Sequence, residues 1–228
     1  MARLPRICVP GCPHHVMARG NRREPIFSED GDQDICCDML AEQTRKAEVE
    51  VRAYCLMPNH VHLILYPRDT KGLSRALGAA HKRWGNFINS RGRWRGPLFD
   101  GRFASVAMDE SHLLAAVRYV ALNPVRARLV GRAEDWKWSS VRAHLEGRDD
   151  GLAAVAPVLD RVKDFAAFVA DRANDAGFAA LRAAEQTGRP VGTADFIDGL
   201  ERALKRRISR RAPGRKPAVK PEDQQMLL

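Results

Sequence analysis

The order of apolar and polar positions along the first half of the chain predicts four strands. Two apolar-rich runs, at 51–57 and 60–66, are separated only by a proline-asparagine pair, which is typical of two antiparallel strands joined by a tight turn. An earlier strand is expected at 14–19, where it ends at a turn-prone glycine-asparagine pair, and a short one at about 103–107.

The segments between these strands carry the period of a helix. Apolar residues recur every three or four positions in three segments, 32–47, 71–89 and 109–122. The order is therefore strand, helix, strand, strand, helix, strand and helix. This order predicts an α+β fold with a ferredoxin-like antiparallel sheet and helices on one face.

The rest of the chain differs in composition and indicates an appendage. We expect the segment 135–146 to close a first domain of residues 1–148, because an acidic, glycine-containing stretch follows it. Alanine-rich segments around 160–185 and 193–207 predict a helical C-terminal extension over 149–208. Residues 209–228 are basic and proline-punctuated, and we expect this tail to be disordered when free.

The charge balance indicates what kind of molecule the protein binds. The chain of 228 residues carries 38 Lys+Arg and 28 Asp+Glu, a net charge of +10. Such an excess favours a polyanionic partner, because each neutralised phosphate releases condensed counterions. The charge by itself says nothing about sequence preference or catalysis.

The cysteine pattern and hydropathy bear on the compartment. Five cysteines at irregular spacing, with no secretory segment before them, argue against a disulfide framework. No apolar run approaches the roughly 18 residues of a membrane span. We therefore expect a cytoplasmic, nucleoid-associated protein. The cluster Cys8, Cys12, His14 and His15 lacks a second ligand pair on a separate element, so a structural zinc site is not favoured there.

A histidine pair in the second of the two central strands is the first candidate for chemistry. His60 and His62 are two residues apart, so in a strand both side chains point to one face while Val61 and Leu63 point to the other. Two neutral imidazoles at that spacing can share one divalent ion, with a third ligand from another element. The alternative is a pair of strand histidines on a solvated sheet face.

A tyrosine and an asparagine one helical turn apart are the second candidate. On a helical wheel Tyr119 and Asn123 lie away from the apolar stripe, and Pro124 is expected to end the helix near Asn123. A phenol can form a covalent intermediate when it is held beside an electrophile polarised by a cation. The amide oxygen of Asn123 is a candidate third metal ligand. The alternative is a helix-end asparagine beside a half-exposed tyrosine.

Several separate blocks of sequence, in order, resemble one family. They are His15-Val16 with Arg19-Gly20-Asn21-Arg22-Arg23, Met57-Pro58-Asn59-His60-Val61-His62, Gly96-Pro97-Leu98-Phe99 with Arg102-Phe103, Tyr119 with Asn123-Pro124-Val125-Arg126-Ala127, and Trp138-Ser139-Ser140. Over about residues 13–146 the chain resembles the REP-associated tyrosine transposases, relatives of the single-strand insertion-sequence transposases among the HUH endonucleases.

The resemblance implies a fold, a reaction and a set of roles. Residues 1–148 would form an HUH catalytic domain, with His60, His62 and Asn123 as ligands of Mg²⁺ or Mn²⁺ and Tyr119 as the nucleophile. The implied reaction cleaves and rejoins single-stranded DNA at short palindromic hairpins through a 5′-phosphotyrosine. The alternative is a domesticated DNA-binding protein with little turnover. A module that binds RNA is a third alternative, but the aromatic sheet pattern of such modules is not visible.

Candidate DNA-binding residues follow from charge and from these blocks. They are Arg19, Asn21, Arg22, Arg23, Lys82, Arg83, Arg102 and Arg126. Trp84 either stacks on an unpaired base or packs in the core. The tail segment 213–217 resembles a minor-groove hook. The expected partner is single-stranded or hairpin DNA with REP-like palindromes, bound by a monomer or homodimer.

Overall fold

A four-stranded antiparallel sheet organises the molecule. In the computed structural model, which describes residues 6–171 and 175–209, the strands lie in the order β2-β3-β1-β4. They are β1 (His14–Arg19), β2 (Val49–Met57), β3 (His60–Pro67) and β4 (Ala104–Ala107). These strands and their antiparallel pairing confirm the α+β, ferredoxin-like class predicted from the sequence.

Eight α-helices accompany the sheet within the described residues. They are α1 (Asp32–Lys46), α2 (Gly72–Gly92), α3 (Glu110–Arg126), α4 (Val141–Glu146), α5 (Ala156–Leu159), α6 (Phe165–Ala170), α7 (Asp175–Thr187) and α8 (Ala194–Leu204). A 3₁₀ turn at Asn21–Arg23 follows β1. The first three helices lie where the periodicity predicts them, and the alanine-rich segment expected around 160–185 is divided between α6 and α7.

Helices cover both faces of the sheet, which differs from the expectation of one covered face. Helices α1 and α2 pack on the face that carries Val61, Leu63 and Leu65 of β3. Helix α3 lies across the opposite face. The reason is that β2 is apolar on both sides: Ala53 and Cys55 contribute to a second core beneath α3. An apolar sheet face left in water would cost free energy in proportion to its area.

Helix α3 also runs past the point where the sequence placed its end. It includes Pro124 and continues to Arg126, whereas an end near Asn123 was expected. The proline lies in the last turn, so the helix loses one backbone hydrogen bond and not a run of them. The amide of Ala127 donates to the carbonyl of Asn123 at 2.9 Å. The amide of Leu129 donates to the carbonyl of Pro124, also at 2.9 Å. These bonds close the helix end.

The C-terminal helices pack against the sheet domain. Helix α7 contacts α3 and β4, and Met108 forms a parallel bridge with Val191. The division of the chain at residue 148 stays a prediction. Residues 210–228 lie outside the described residues, and with them nearly all of the predicted tail and the segment 213–217. Over 6–171 and 175–209, no helix combines the length and the hydropathy that a membrane crossing requires.

Candidate active site

The strand register brings three histidines and an arginine to the sheet face beneath α3. In the antiparallel pair β1–β3, Arg19 lies opposite His60 and Met17 lies opposite His62. Residues directly opposite each other share a face, and His15 lies on that face because it is two positions from Met17. The rings of His60 and His62 are 4.9 Å apart between centroids. The predicted histidine pair is therefore extended by His15.

His15 and His62 are in direct contact. Their rings stack with centroids 5.1 Å apart, and Nε2 of His15 lies 2.9 Å from Nδ1 of His62, a hydrogen bond. His62 is only 3% exposed and His15 only 1%. The alternative of a solvated histidine face is therefore wrong for His62.

Tyr119 lies on α3 directly over these rings. Its ring centroid is 5.5 Å from that of His62 and 5.6 Å from that of His15, in edge-on geometry. The side chain is 5% exposed, so it is buried, and its ring also contacts Phe178 of α7. The sequence predicted that Tyr119 lies outside the aliphatic core stripe, and the alternative was a half-exposed tyrosine. The structure instead buries it against imidazoles.

The other two predicted ligands have less extensive contacts. His60 is half-buried, and its Nδ1 lies 2.6 Å from the side-chain oxygen of Asn59. Asn123 is one turn beyond Tyr119, and its Nδ2 is buried with no hydrogen-bond partner in the part of the chain that the structure describes. The structure thus brings His60, His62 and Tyr119 together, and it leaves the side-chain nitrogen of Asn123, on the same helix as Tyr119, without a hydrogen bond.

Glu185 is a site residue that the sequence gave no reason to choose. It lies on α7, is 8% exposed, and places Oε1 3.5 Å from Nδ1 of His15 and 3.9 Å from Nδ1 of His62. No local pattern marks it, because only packing joins α7 to the sheet. His15 did have a signal: its alternation with Met17 and Arg19 fixes its face once β1 is paired with β3.

Burial sets the protonation of this cluster. Desolvation lowers the pKa of His15 and of His60 to about 4, and that of His62 well below its usual value, so all three are neutral at pH 7. Desolvation raises the pKa of Glu185 to about 7 and that of Tyr119 to about 12, and the Glu185 carboxylate adds to the rise at Tyr119.

The donor set fits a divalent metal ion. One ligand atom from each of His15, His62 and Glu185 can be chosen so that all three lie within 4.8 Å of one another. Neutral imidazole nitrogens and a carboxylate oxygen are ligands that first-row divalent ions accept. Two of the atoms, Nδ1 of His15 and Oε1 of Glu185, are buried without a hydrogen-bond partner among the described residues. Unpaired buried atoms of this kind are expected where a cation binds.

Three of the sequence blocks meet at one end of the sheet, where β1 ends and β3 begins at His60. The amide of Gly20 donates to the carbonyl of Asn59 at 2.8 Å, that of Asn21 to the carbonyl of Leu98 at 2.8 Å, and that of Asp100 to the carbonyl of Arg19 at 2.8 Å. These bonds tie the 3₁₀ turn to the β2–β3 turn and to the loop before β4. Segments that are distant in the sequence are therefore held side by side at this place.

This end of the sheet carries most of the predicted DNA-binding residues. We call it the basic edge, and it consists of Arg19, Asn21, Arg22, Arg23 and Arg102. Arg22 and Arg23 are exposed and have left-handed backbones, with φ of 54° and 64°. Such conformations are uncommon for residues other than glycine. The side-chain amide of Asn59 donates to the carbonyl of Arg23 at 2.9 Å and helps to hold them.

The remaining predicted DNA-binding residues lie elsewhere. Arg126 sits over the ring of Tyr119, 5.2 Å from its centroid. Lys82 and Arg83 are exposed on α2, on the opposite side of the sheet from Tyr119, and Arg83 pairs with Glu42. Trp84 is 1% exposed and its indole N–H donates to the carbonyl of Ile26 at 3.0 Å, so it is a core residue and does not offer a stacking surface.

This fold is that of the REP-associated tyrosine transposases. A solved structure of a REP-associated tyrosine transposase bound to a REP hairpin superposes with a TM-score of 0.56, at 20% identity, over 68% of this chain and 92% of that chain. A protein assigned as a transposase from Deinococcus radiodurans R1 gives a TM-score of 0.38, at 19% identity, over 52% of this chain and 95% of that chain, a similarity too low to carry an argument.

The sequence itself gives the family. The profile described as "Transposase IS200 like" matches residues 8–123, just over half of the chain. The chain belongs to the IS200-like transposase family. No curated protein matches its sequence.

Proposed function

We propose that this protein is a metal-dependent transposase that cleaves and rejoins single-stranded DNA at short palindromic hairpins. The observation that carries the proposal is the position of Tyr119, whose ring lies 5.5 Å from the ring of His62 on a buried sheet face. Membership of the IS200-like family supports the class of reaction. The hairpin bound by the REP-associated relative supports the class of DNA.

The reaction is a transesterification at phosphorus. The Tyr119 oxygen forms a bond to the scissile phosphate, the bond from phosphorus to the 3′ oxygen breaks, and the phenol proton is balanced by protonation of the released 3′-hydroxyl. The product is a 5′-phosphotyrosine. A 3′-hydroxyl from another strand reverses these steps, restores the phenol and joins the two strands.

The metal ligands are proposed as His60, His62 and Asn123, with Mg²⁺ or Mn²⁺ as the ion. Such an ion polarises the phosphate oxygens as a Lewis acid. The histidines contribute by remaining neutral, since burial lowers the pKa of His60 to about 4. Arg19 and Arg126 contribute positive charge, because both lower the pKa of Tyr119 against the larger effect of burial.

The basic edge provides a path for the DNA backbone towards His60. Arg22 and Arg23 project into solvent beside the β2–β3 turn, and Arg102 lies in the loop before β4, which is bonded to the 3₁₀ turn. Exposed arginines on a fixed backbone suit phosphate contacts, which position a nucleic acid without reading its sequence. We propose that the hairpin lies along this edge with its unpaired end at Tyr119.

The first prediction tests the nucleophile. Tyr119→Phe removes only the attacking oxygen, so the variant should bind a hairpin oligonucleotide as the wild type does and form no covalent adduct in Mg²⁺ or Mn²⁺. The measurement is adduct formation on a denaturing gel, with the modified peptide located by mass spectrometry. Tyr66→Phe is the matched control, since Tyr66 lies on β3 outside the cluster, and it should retain the adduct. An adduct with the Tyr119 variant would remove this residue from the mechanism.

One observation favours the alternative of a DNA-binding protein with little turnover. Tyr119 is only 5% exposed and its ring contacts Phe178, so α7 limits the access of a strand to the phenol. A protein that keeps α7 in place would bind hairpins at the basic edge and form no adduct. The same gel assay separates the two functions, because only turnover gives a covalent product.

A further inference from the structure

A group of buried donors joins the C-terminal extension to the candidate active site. His15 comes from β1, His62 from β3 and Glu185 from α7, and they are 1%, 3% and 8% exposed. They come from elements that are far apart in the sequence, yet one ligand atom from each lies within 4.8 Å of the others. The cluster lies beneath Tyr119, whose ring is edge-on to both imidazoles.

Two atoms of this cluster lack the bonds that buried polar atoms normally make. Nδ1 of His15 and Oε1 of Glu185 have no hydrogen-bond partner among the described residues. They face each other at 3.5 Å, which exceeds the usual 2.7–3.2 Å of an N–H···O bond. A buried carboxylate oxygen that remains unpaired has lost its hydrogen bonds to water and gained none in return. A cation bound between these two atoms would satisfy both of them.

The spacing of the donors suits a shared cation. Two ligands that each lie about 2.1 Å from one ion are roughly 3.0–4.2 Å apart, depending on the angle between them. Oε1 of Glu185 is 3.5 Å from Nδ1 of His15, which falls in that range. It is also 3.9 Å from Nδ1 of His62, which coordinates the ion only if it gives up its hydrogen bond to Nε2 of His15. The carboxylate also supplies negative charge that the two neutral imidazoles lack.

We infer that Glu185 and His15 are ligands of a divalent cation at His62, so that α7 forms part of the metal centre. The inference rests on the proposed function for the presence of a cation at His62 and adds ligands from β1 and α7. Because α7 also carries Phe178 against Tyr119, the cation ties the helix that covers the nucleophile to the sheet beneath it.

A charge-preserving exchange of neighbouring residues tests the ligand. In the double variant Glu185→Gln, Gln186→Glu the carboxylate moves from a buried position to the exposed position next to it, and net charge and composition stay the same. Free Mn²⁺ is measured by electron paramagnetic resonance during titration of the full chain without DNA. The double variant should bind Mn²⁺ at least roughly tenfold more weakly than the wild type. Losses of this size follow when a metal ligand, or a residue that holds a ligand in place, is removed. The single variant Gln186→Glu should bind as the wild type does.

A second readout reports on the helix. Hydrogen exchange of the α7 amides should slow when Mn²⁺ is added to the wild type, because the cation links α7 to β1 and β3. The same addition should leave the exchange of α7 unchanged in the double variant. Circular dichroism checks that the variants are folded. If the double variant fails to fold, His15→Phe replaces it, since this change keeps the stacked ring and removes the nitrogen donor.

The outcomes separate the inference from the proposed function. Equal Mn²⁺ affinity in the double variant, or in His15→Phe, overturns the inference, as does a wild type that binds no Mn²⁺. Adduct formation on Tyr119 in the presence of Mn²⁺ would then leave the proposed function standing. Conversely, Mn²⁺ binding that depends on Glu185 in a protein that never forms an adduct would support the inference and contradict the proposed turnover.

Discussion

Two adjacent histidines show that the residue type alone does not determine what a side chain does in the protein. His14 and His15 are neighbours on β1, so their side chains point to opposite faces of the sheet. His14 is saturated: its Nε2 accepts from the amide of Val9 at 3.1 Å, and its Nδ1 donates to the carbonyl of Cys12 at 2.8 Å. His15 keeps an unpaired nitrogen beside Glu185. One histidine therefore supports the fold and the other belongs to the candidate site.

Because His14 is buried with both ring nitrogens hydrogen-bonded, we predict that the protein loses stability in acid. Burial lowers its pKa from 6.5 to about 4, so the unfolded chain binds the proton at a higher pH than the folded chain. The stabilisation is complete above about pH 6.5 and is lost as the pH falls through about 4. It amounts to on the order of 3 kcal/mol of unfolding free energy.

Urea unfolding at pH 7 and pH 4.5 measures this effect. His14→Gln preserves one donor and one acceptor and carries no titratable proton, so its unfolding free energy should fall less between the two pH values than that of the wild type. Parallel decreases in the two proteins would show that His14 does not contribute.

At the scale of elements, the turn after β1 controls where the arginines project. The 3₁₀ turn at Asn21–Arg23 requires the chain to pass very close to itself at Gly20. A Cβ added there would lie 2.3 Å from the carbonyl oxygen of Glu24 and 2.8 Å from the side chain of Ile26. The first of these neighbours is backbone, so a side-chain rotation cannot relieve the clash. Gly20 is thus required by close approach.

Gly20→Ala should lower the free energy of unfolding by about 1–3 kcal/mol, the usual cost of overpacking. The matched control is Gly78→Ala in α2, where an added Cβ meets nothing within 4 Å. That change should raise stability by roughly 0.5–1 kcal/mol, because glycine is a poor residue in the middle of a helix. Chemical denaturation of both variants gives the comparison. A Gly20 variant as stable as the wild type would mean that the turn adapts at no cost.

At the scale of the whole molecule, positive charge is distributed over both sides of the sheet. The chain carries a net charge of +10, and the basic residues near Tyr119 include the basic edge, Arg126 and Arg182. Lys82 and Arg83 lie on α2, behind the sheet, and Glu42 already pairs with Arg83. A strand that reaches Tyr119 need not contact α2, so the two groups of basic residues should contribute unequally to DNA binding.

Salt dependence distinguishes these groups. Arg22→Gln with Arg23→Gln should weaken hairpin binding and reduce the slope of log affinity against log salt by roughly 1.4–1.8, the value for two lost phosphate contacts. Lys82→Gln with Arg83→Gln should leave the slope close to that of the wild type. Fluorescence anisotropy between about 50 and 200 mM salt measures both. A comparable loss in the second pair would mean that the DNA also contacts α2.

The sequence could predict those parts of the site that depend on local spacing. The face of His60 and His62 follows from strand alternation, and the turn between Tyr119 and Asn123 follows from helical spacing. The end of α3 was misjudged, since one proline in a last turn removes only one hydrogen bond. Trp84 was undecided between core and surface, because a helical period does not say which neighbour covers a residue.

The sequence by itself determined the alternation of strands and helices, the antiparallel pairing of β2 with β3, the histidine pair and the tyrosine helix, since each is set by residues a few positions apart. Only the tertiary structure decided that α3 lies opposite α1 and α2, that His15 joins His62, and that Glu185 reaches both from α7. These contacts depend on which apolar faces are buried against each other. That choice is made by the whole core, so no short stretch of sequence records it.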